Sequence, residues 1–266
     1  MFTSFYSLSG KPFGKEIKAK DMFPSSVQVE LLARLNYLKD NRGMGLVVGE
    51  AGSGKTASLR AFAANLNPAL YKVVYFPLST LTVNDFYRAL AYNLGLEPAF
   101  RKVDLFKQIQ DAVLSHHLDK KITPVFILDE LHMASSHFLG DLHLLFNFSM
   151  DSVNPFVLVL CGLPNLAIKL SLAQNQPLNQ RLIMRYRMQH LNREEAKAYL
   201  DHQMELAGAK YPIFLEAAVE AISTVSRGWP RLINNLATTS LIYGCQKGLK
   251  HIDEEAVRQA AIELGL

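Results

Sequence analysis

Eight consecutive residues of this sequence have the types and spacing of a loop that binds phosphate groups. The segment from Gly49 to Thr56 reads GEAGSGKT and fits the pattern G-x-x-x-x-G-K-[ST] without departure. An apolar run enters the loop and a helical pattern leaves it, so backbone N–H groups and a helix N-terminus can face a phosphate. Lys55 is expected to reach the β- and γ-phosphates, and the Thr56 hydroxyl to coordinate Mg²⁺. The predicted ligand is a nucleoside triphosphate, and the predicted binding residues are Gly49, Glu50, Ala51, Gly52, Ser53, Gly54, Lys55, Thr56 and Ala57.

Two adjacent acidic residues follow a short apolar run further along the chain. The run from Pro124 to Leu128 is typical of a buried strand, and Asp129 and Glu130 come directly after it. An aspartate at the end of a buried strand can reach Mg²⁺ beside Thr56 through the water shell of the ion. The glutamate after it is placed to polarise a water for attack on the γ-phosphate. Asp129 is therefore predicted to hold the metal, and Glu130 to act as the catalytic base.

The histidines and cysteines do not have the spacing of a metal or redox site. His132, His137 and His143 follow the acidic pair, but no cysteine or compact carboxylate set accompanies them. Positions at the surface or beside the site are therefore favoured over metal ligation. Cys161 and Cys245 lie in apolar surroundings and are expected to be reduced core residues of a cytoplasmic protein.

The composition is that of an ordinary globular protein with a mildly basic charge. The 266 residues are 49% hydrophobic and 20% charged, with a net charge of +4. Lys and Arg are scattered, which permits nucleic-acid binding without demanding it. We expect no signal peptide, because the N-terminus lacks a long apolar run, and no membrane span, because no apolar stretch is long enough.

The order of the predicted elements divides the chain into three segments. Strands and helices alternate as far as residue 190, which predicts an α/β nucleotide-binding domain over 41–190. From residue 191 the pattern is helical only, which predicts an α-helical lid domain over 191–266. Residues 1–40 are expected to form an N-terminal segment and a first helix that packs on the nucleotide site. The aromatic residues of this segment, Phe5, Tyr6 and Phe13, either close over the base or fill the core.

Helix caps are predicted at two places, and the inward face of the last helix is predicted as well. Ser25 with Gln28, and Asn192 with Glu195, have the spacing of capping boxes. The last helix is predicted to span Asp253 to Leu264, and the residues expected to face inward are Ala256, Val257, Ala260 and Leu264.

With these pieces in order, the chain resembles an AAA+ ATPase. Within that class it is similar to the ExeA-like and TnsC/TniB-like group of transposition ATPases, and the resemblance covers nearly the whole length. It implies an α/β AAA+ P-loop NTPase fold, with a parallel sheet sandwiched by helices and a small C-terminal α-helical lid, and ATP with Mg²⁺ as cofactors. The segments that carry the resemblance are Phe5 to Leu8 with Pro12 and Phe13, Gly49 to Thr56, Ile127 to Glu130, Leu160 to Leu166, Gln180 to Leu182 and Gly228 to Asn234.

The resemblance also implies roles for two arginines in ATP hydrolysis. Arg231 matches the sensor-2 arginine, which touches the γ-phosphate from within the subunit. Arg181 matches the arginine finger, which acts on the nucleotide of the neighbouring subunit and is worth roughly 10³–10⁵ in rate. Arg185 and Arg187 are the rivals for the finger.

One departure from the family pattern lies at the end of the fourth strand. The polar sensor-1 residue is not obvious there, because Cys161 and Gly162 stand at the end of the strand and Asn165 comes later. Slow or weakly coupled hydrolysis would follow if nothing replaces this residue.

The function implied by the resemblance is regulation of DNA transposition in the bacterial cytoplasm. The chain would form a homo-oligomer on duplex DNA without reading its sequence, as a ring (a hexamer or heptamer) or a helical filament. It would recruit or activate a transposase, either alone or with a target-selection protein, and hydrolyse ATP to disassemble. The candidate DNA contacts, expected in loops that face the inside of the assembly, are Arg101, Lys102, Thr82 and Asn84.

Two other functions remain open from the sequence. A secretion-associated ATPase of the ExeA type is expected to carry a membrane span and an envelope-facing domain after the ATPase module, so a chain that ends at Leu266 without them favours transposition. The third function is a signalling switch that has no DNA partner.

Overall fold

Two compact units make up the structure, which is a computed structural model that describes residues 2–14, 16–77 and 82–266. The sheet unit comprises Glu30–Ala51 and Lys55–Met188, and the helical unit comprises Met1–Val29, Gly52–Gly54 and Gln189–Leu266. The predicted division into segments 1–40, 41–190 and 191–266 stays a prediction. Within the described residues, no helix combines the length and the apolar character that crossing a membrane requires.

A five-stranded parallel sheet forms the centre of the sheet unit. Its strands are in the order β2-β3-β4-β1-β5. β1, β3 and β4 lie in the interior of the sheet, and because both their faces are covered, their apolar runs are almost entirely buried. The strand bounds are Gly43–Val48 for β1, Tyr71–Pro77 for β2, Thr123–Asp129 for β3, Val157–Gly162 for β4 and Leu182–Arg187 for β5.

Helices flank the sheet, and the predicted α/β fold with a parallel sheet between helices is confirmed. One buried apolar cluster joins the strands to these helices, and it contains eight buried aromatic side chains. Short 3₁₀ turns span Leu131–Met133, Ser149–Asp151 and Ala173–Asn175. The helix bounds are Ser26–Asn41 for α2, Lys55–Ala64 for α3, Val83–Asn93 for α4, Lys102–Leu118 for α5, Ser136–Leu145 for α6, Asn165–Ser171 for α7 and Gln176–Gln180 for α8.

The strand register brings three chain segments to one edge of the sheet. Val48, at the end of β1, pairs with Gly162 at the end of β4, while Leu128 of β3 pairs with Leu160 of β4. All these strands run in the same direction, so the phosphate loop, Asp129 and the end of β4 emerge at the same carboxyl edge. In open parallel sheets this edge is where ligands bind.

The helical unit has its own apolar core. The helical unit also contains a 3₁₀ turn over Ala19–Asp21 and the first residues of α2. Two of the N-terminal aromatic residues belong to this core: Tyr6 and Phe13 are buried, and the Tyr6 hydroxyl donates to the carbonyl of Leu249 at 3.0 Å. For Tyr6 and Phe13, filling the core is therefore the position that the contacts favour, whereas Phe5 is 41% exposed and lies outside the core. The helix bounds are Phe2–Phe5 for α1, Arg193–Leu206 for α9, Glu216–Ser226 for α10, Pro230–Lys247 for α11 and Glu254–Leu264 for α12.

The predicted capping box at the start of α9 is complete. The Asn192 side chain accepts from the Glu195 N–H at 2.8 Å, and the Glu195 side chain accepts from the Asn192 N–H at 3.2 Å. The box predicted at the start of α2 is only half formed. Ser25 Oγ accepts from the Gln28 N–H at 3.3 Å, but the Ser25 N–H donates to the carbonyl of Phe23, so it is not available to the Gln28 side chain.

The predicted inward face of the last helix needs one correction. Ala256, Val257 and Ala260 are buried as expected, but Leu264 is 36% exposed, and Ala261 is buried instead. Leu264 is the last residue of α12, and the helix ends there at Gly265, which has a left-handed conformation.

Candidate functional site

The lysine of the phosphate loop is buried and held by the loop itself. Lys55 is the first residue of α3, and its Nζ donates to the carbonyl of Gly49 at 2.7 Å and to that of Glu50 at 2.9 Å. The backbone of the loop therefore curls around the Lys55 ammonium group. These two hydrogen bonds hold the positive charge close to the N-terminus of α3. This is the position from which a point charge can bind phosphate oxygens.

Asp129 is the centre of a buried polar cluster at the end of β3. The carboxylate is 1% exposed, and its Oδ2 accepts from Thr56 Oγ1 at 2.7 Å and from the Tyr75 hydroxyl at 3.2 Å. Its Oδ1 accepts from the Glu130 N–H at 2.9 Å. Each oxygen thus has a donor, as a buried carboxylate requires. The structure brings together Thr56 and Asp129, which the sequence predicts to share a metal.

Two neighbouring groups have pKa values that are raised at this cluster. Burial, followed by the charge of Asp129, raises the pKa of Tyr75 to about 12. Burial and then Asp129 also raise the pKa of the Cys161 thiol well above its ordinary value. Both groups are therefore neutral at physiological pH, and Tyr75 is a hydrogen-bond donor to the carboxylate.

Glu130 has a backbone conformation that non-glycine residues seldom adopt. Its φ of 57° and ψ of 25° lie in the left-handed region, directly between β3 and the 3₁₀ turn over Leu131–Met133. Such residues persist where surrounding contacts fix them, and they concentrate at functional sites. The Glu130 side chain is 54% exposed, so its carboxylate can reach solvent.

The oxygen donors in the sheet unit fit a magnesium ion. Mg²⁺ prefers hard oxygen ligands and keeps several waters, and it is usually held by one or two protein groups together with substrate phosphates. The Thr56 hydroxyl and the Asp129 carboxylate, 2.7 Å apart, are a donor pair of this kind. In the part of the chain that the structure describes, no group of three or more His, Cys, Asp or Glu is placed to hold a metal.

The middle of the phosphate loop, which belongs to the helical unit, is shaped by glycine. Gly52 and Gly54 have φ values of 82° and 94°. A Cβ at Gly52 would lie 2.6 Å from Cβ of Arg231, and the Arg231 N–H donates to the Gly52 carbonyl at 3.3 Å. Ser53 is buried, and among the described residues its Oγ has no hydrogen-bond partner. A buried polar atom without a partner in a glycine loop fits an anionic ligand such as a phosphate.

The three candidate finger arginines differ in how they are held. Arg181, just before β5, is half-buried and donates to the carbonyls of His143 at 3.3 Å and Phe146 at 2.9 Å. Arg185 is exposed and donates to the Asn179 side chain at 2.8 Å and to the Asn179 carbonyl at 2.6 Å. Arg187 is exposed at the end of β5. The choice of Arg181 as the finger stays a prediction.

The two cationic candidates for DNA binding are paired with acidic residues. Arg101, the N-cap of α5, binds Asp104 at 2.7 Å, and Lys102, the first residue of α5, binds Asp141 at 2.6 Å. The Thr82 side chain caps α4 by accepting from the Asp85 N–H at 3.2 Å.

Asn84 is exposed within α4. Asn84 and Lys102 are therefore helical, and not in loops as expected, because α4 begins at Val83 and α5 begins at Lys102. Their contact with DNA stays a prediction.

Two residues of the cluster at β3 are not among the predicted site residues. Tyr75 has no motif around it, and the pairing of β2 with β3, in which Tyr75 lies opposite Ile127, brings its hydroxyl to Asp129. His132 lies beside Glu130, with Nδ1 3.5 Å from Glu130 Oε2. The sequence places His132 near the acidic pair but does not indicate which way its ring points.

A family model described as an AAA domain matches residues 38–170, which is half of the chain. General secretion pathway protein A from Aeromonas hydrophila is 31% identical over 268 residues, which cover 99% of this chain and 48% of that protein. The chain thus spans about half the length of the curated relative that it matches.

Solved structures with the same fold include two that are named ORC. The Aeropyrum pernix ORC2 protein, in ADPNP–ADP complexes, has a TM-score of 0.68 and 16% identity, covering 94% of this chain and 70% of its own. Drosophila ORC bound to DNA has a TM-score of 0.70 and 16% identity, covering 100% of this chain and 66% of its own. At these identities the likeness is one of fold.

Proposed function

Because this chain belongs to the AAA domain family, we propose that it is a Mg²⁺-dependent ATPase. The observation that carries the proposal is the hydrogen bond of 2.7 Å between Thr56 Oγ1 and Asp129 Oδ2. It joins the phosphate loop to the acidic end of β3, two motifs that are far apart in the sequence. These are the two oxygen donors from which P-loop ATPases hold their metal. The ADPNP–ADP complexes of the ORC2 protein add support for an adenine nucleotide as ligand.

Each residue of the site then has a defined task. Lys55 neutralises charge on the β- and γ-phosphates, and Thr56 and Asp129 hold the metal. The bound Mg²⁺ supplies electrostatic stabilisation of charge on the phosphates. Tyr75 holds the Asp129 carboxylate through its hydroxyl. Glu130 accepts a proton from the attacking water. Arg231 acts as sensor 2, and Arg181 acts on a neighbouring subunit.

The test of this proposal is ATP binding and turnover in the wild type and in Lys55→Ala. Loss of a charged donor to phosphate is expected to weaken ATP binding by about two orders of magnitude. Lys72→Ala is the matched control, because the Lys72 ammonium also donates to a backbone carbonyl, that of Leu94, at 3.0 Å. Equal ATP affinity in both variants, or a wild type that does not hydrolyse ATP, would contradict the proposal.

For the process that this ATPase serves, we propose assembly on duplex DNA and regulation of a transposase. The support is the set of sequence motifs shared with transposition ATPases, together with a fold that is also found in an ORC bound to DNA. One subunit offers few phosphate contacts, and repetition around a ring or filament multiplies them. ATP then controls assembly, and hydrolysis returns the subunits to the free state.

The second candidate is a secretion-linked ATPase, and a specific observation favours it. The curated relative, which this chain matches over 99% of its length, is named General secretion pathway protein A. Chain length does not separate the two candidates, since the match covers 48% of that relative. The ion pairs of Arg101 and Lys102 also leave these cations partly neutralised, which weakens them as phosphate contacts.

Duplex-DNA binding with and without a slowly hydrolysed ATP analogue separates the two candidates. The transposition proposal predicts cooperative, steeply salt-dependent and sequence-independent binding that requires the analogue, and particles that enlarge when DNA is added. Charge reversal of Arg101 and Lys102 to Glu should weaken DNA binding and spare assembly. Reversal of Lys39 and Lys197, which are also paired with acids, is the control. Particles that form equally without DNA, with no binding at low salt, would favour the secretion candidate.

A further inference from the structure

The imidazole of His132 lies between the end of β4 and the carboxylate of Glu130. His132 is the middle residue of the 3₁₀ turn that follows the acidic pair, and its side chain is only 10% exposed. Its Nδ1 accepts from the Leu163 N–H at 3.4 Å and lies 3.5 Å from Glu130 Oε2. Nδ1 of His132 therefore lies close both to Leu163, which follows β4, and to Glu130, which we propose as the catalytic base.

Two features of the surrounding structure hold the turn and its ring in this place. A Cβ at Gly162 would lie 3.1 Å from the His132 backbone nitrogen and 3.3 Å from Nδ1, so the absence of a side chain at the end of β4 makes room for the ring. On α7, Lys169 Nζ donates to the carbonyls of His132 and Ala134, both at 2.7 Å. The turn is thus fixed by contacts from outside itself, which is also what the left-handed conformation of Glu130 requires.

The hydrogen bond from Leu163 determines the chemistry of the contact with Glu130. Because Nδ1 accepts from the Leu163 N–H, the proton of the neutral ring is on Nε2. In this tautomer Nδ1 does not donate to the Glu130 carboxylate, so the ring constrains the carboxylate only by packing beside it, with Nδ1 3.5 Å from Oε2. The ring limits where the carboxylate can lie and leaves its oxygens available to accept a proton from water.

We propose that His132 is a positioning residue for Glu130, and that it takes the place of the polar residue missing from the end of β4. This inference rests on the proposed ATPase function, in which Glu130 polarises the attacking water. Without the imidazole, the half-exposed Glu130 side chain can rotate away from the water, and small displacements of a catalytic group are costly. Nucleotide binding does not depend on this contact, because the described hydrogen bonds of Lys55, Thr56 and Asp129 are made to groups other than the ring.

The test compares His132→Ala, His132→Asn and His132→Gln for kcat and for ATP affinity. We expect His132→Ala to lower kcat by about tenfold or more while the Kd for ATP changes by less than about twofold. Asn places an acceptor near the position of Nδ1 and should retain kcat within about threefold, whereas Gln reaches towards Nε2 and should resemble Ala. His137→Ala, at an exposed histidine that pairs with Asp141, is the matched control and should leave kcat unchanged.

Two further variants, Gly162→Ala and Glu130→Gln, test the packing of the ring and the role of Glu130 separately. Gly162→Ala crowds the ring without removing it and should lower kcat in the same way. Glu130→Gln separates this inference from the function on which it rests. If Glu130→Gln abolishes turnover but His132→Ala does not reduce kcat, the inference is wrong and the ATPase proposal stands. If Glu130→Gln turns over at the wild-type rate, the role of Glu130 itself fails. If His132→Ala does not fold, equal kcat in the Asn and Gln variants would overturn the inference.

Discussion

The end of β3 in the sheet unit and the core of the helical unit are buried to the same degree, but the side chains that are buried differ in chemistry: polar at the end of β3 and apolar in the core. At the end of β3, Asp129 is 1% exposed and is surrounded by hydroxyl and amide donors from three chain segments. In the helical unit, Leu236 is 0% exposed within a cluster of apolar side chains. A buried carboxylate must be compensated by specific partners, whereas a buried leucine stabilises by its removal from water.

This difference predicts two kinds of response to substitution. Changes at the carboxyl edge of the sheet should alter turnover more than folding stability, because the groups there are the ones that we propose to hold the nucleotide and its metal. Changes in the helical unit's core and caps should alter stability more than turnover. A substitution that moves the wrong quantity would break the comparison.

The largest effect on turnover outside the metal site is expected for Arg181→Ala. If Arg181 is the finger, kcat should fall by about 10³-fold with ATP affinity unchanged. Mixing this variant with Glu130→Gln should restore part of the activity, from interfaces that pair an intact Glu130 with an intact Arg181. Arg185→Ala is the matched control.

The contrary result for Arg181 is equally specific. Its guanidinium donates to the carbonyls of His143 and Phe146. Wild-type turnover together with a lower melting temperature would assign it to the structure of the sheet unit and exclude it as the finger.

The largest effect on stability is expected for Leu236→Ala in the helical unit. Removal of a fully buried leucine side chain should cost about 2–5 kcal/mol in the free energy of unfolding, through lost burial and a residual cavity. Denaturant unfolding measures this cost, and kcat per folded molecule should not change. Ile262→Ala, at an exposed position, is the control. A loss of turnover in folded Leu236→Ala would show that the core of this unit is coupled to the chemistry.

An intermediate effect is expected for Tyr75→Phe at the end of β3. The substitution removes the hydroxyl that donates to Asp129 Oδ2 and leaves the ring in place. We expect about tenfold lower turnover and a higher Mg²⁺ concentration for half-maximal activity, because Asp129 is less firmly held. Tyr92→Phe, at an exposed tyrosine on α4, should have no effect. An unchanged Mg²⁺ dependence in Tyr75→Phe would show that the Tyr75 hydroxyl does not help Asp129 to hold the metal.

The smallest effect is expected at the capping box of α9 and depends on pH. Burial alone would raise the pKa of Glu195, but hydrogen bonds from Ser26 and from the Asn192 N–H outweigh it and lower the pKa. A lowered pKa in the folded state gives stability that is present above the unfolded-state value and is lost as the pH falls through the folded-state value. Unfolding measured between about pH 6 and pH 3 should show this loss in the wild type and less of it in Glu195→Gln.

The matched measurement at the same cap is Asn192→Ala. It should cost about 1 kcal/mol at neutral pH without changing turnover. A pH dependence of stability that is identical in the wild type and in Glu195→Gln would contradict the assigned role of the carboxylate.

Local patterns predicted much of this molecule, and contacts between distant segments account for the rest. The spacing of the phosphate loop and the apolar run before Asp129 identified the strands that carry them, and the Asn192–Glu195 box marked the start of α9 to the residue. Each of these signals is contained within a few consecutive residues.

The features that the sequence did not reveal depend on the fold. Tyr75 reaches Asp129 through the pairing of β2 with β3, and His132 reaches Leu163 because Gly162 leaves space for its ring. The spacing of residues also does not show that the Ser25 N–H donates to another carbonyl, which leaves the capping box half formed. The exposure of Leu264 accompanies its position as the last residue of α12.

The most direct test of the central claim is turnover and ATP retention by Glu130→Gln. The claim is that the phosphate loop and the end of β3 form one ATPase site, in which binding and hydrolysis depend on different residues. Glu130→Gln should bind ATP with wild-type affinity and lower kcat by about 10²-fold or more, because amide nitrogen and oxygen are poor proton acceptors. Rapid-filtration measurement of bound ATP over time should then find it retained as ATP. Hydrolysis by Glu130→Gln at the wild-type rate would contradict the account.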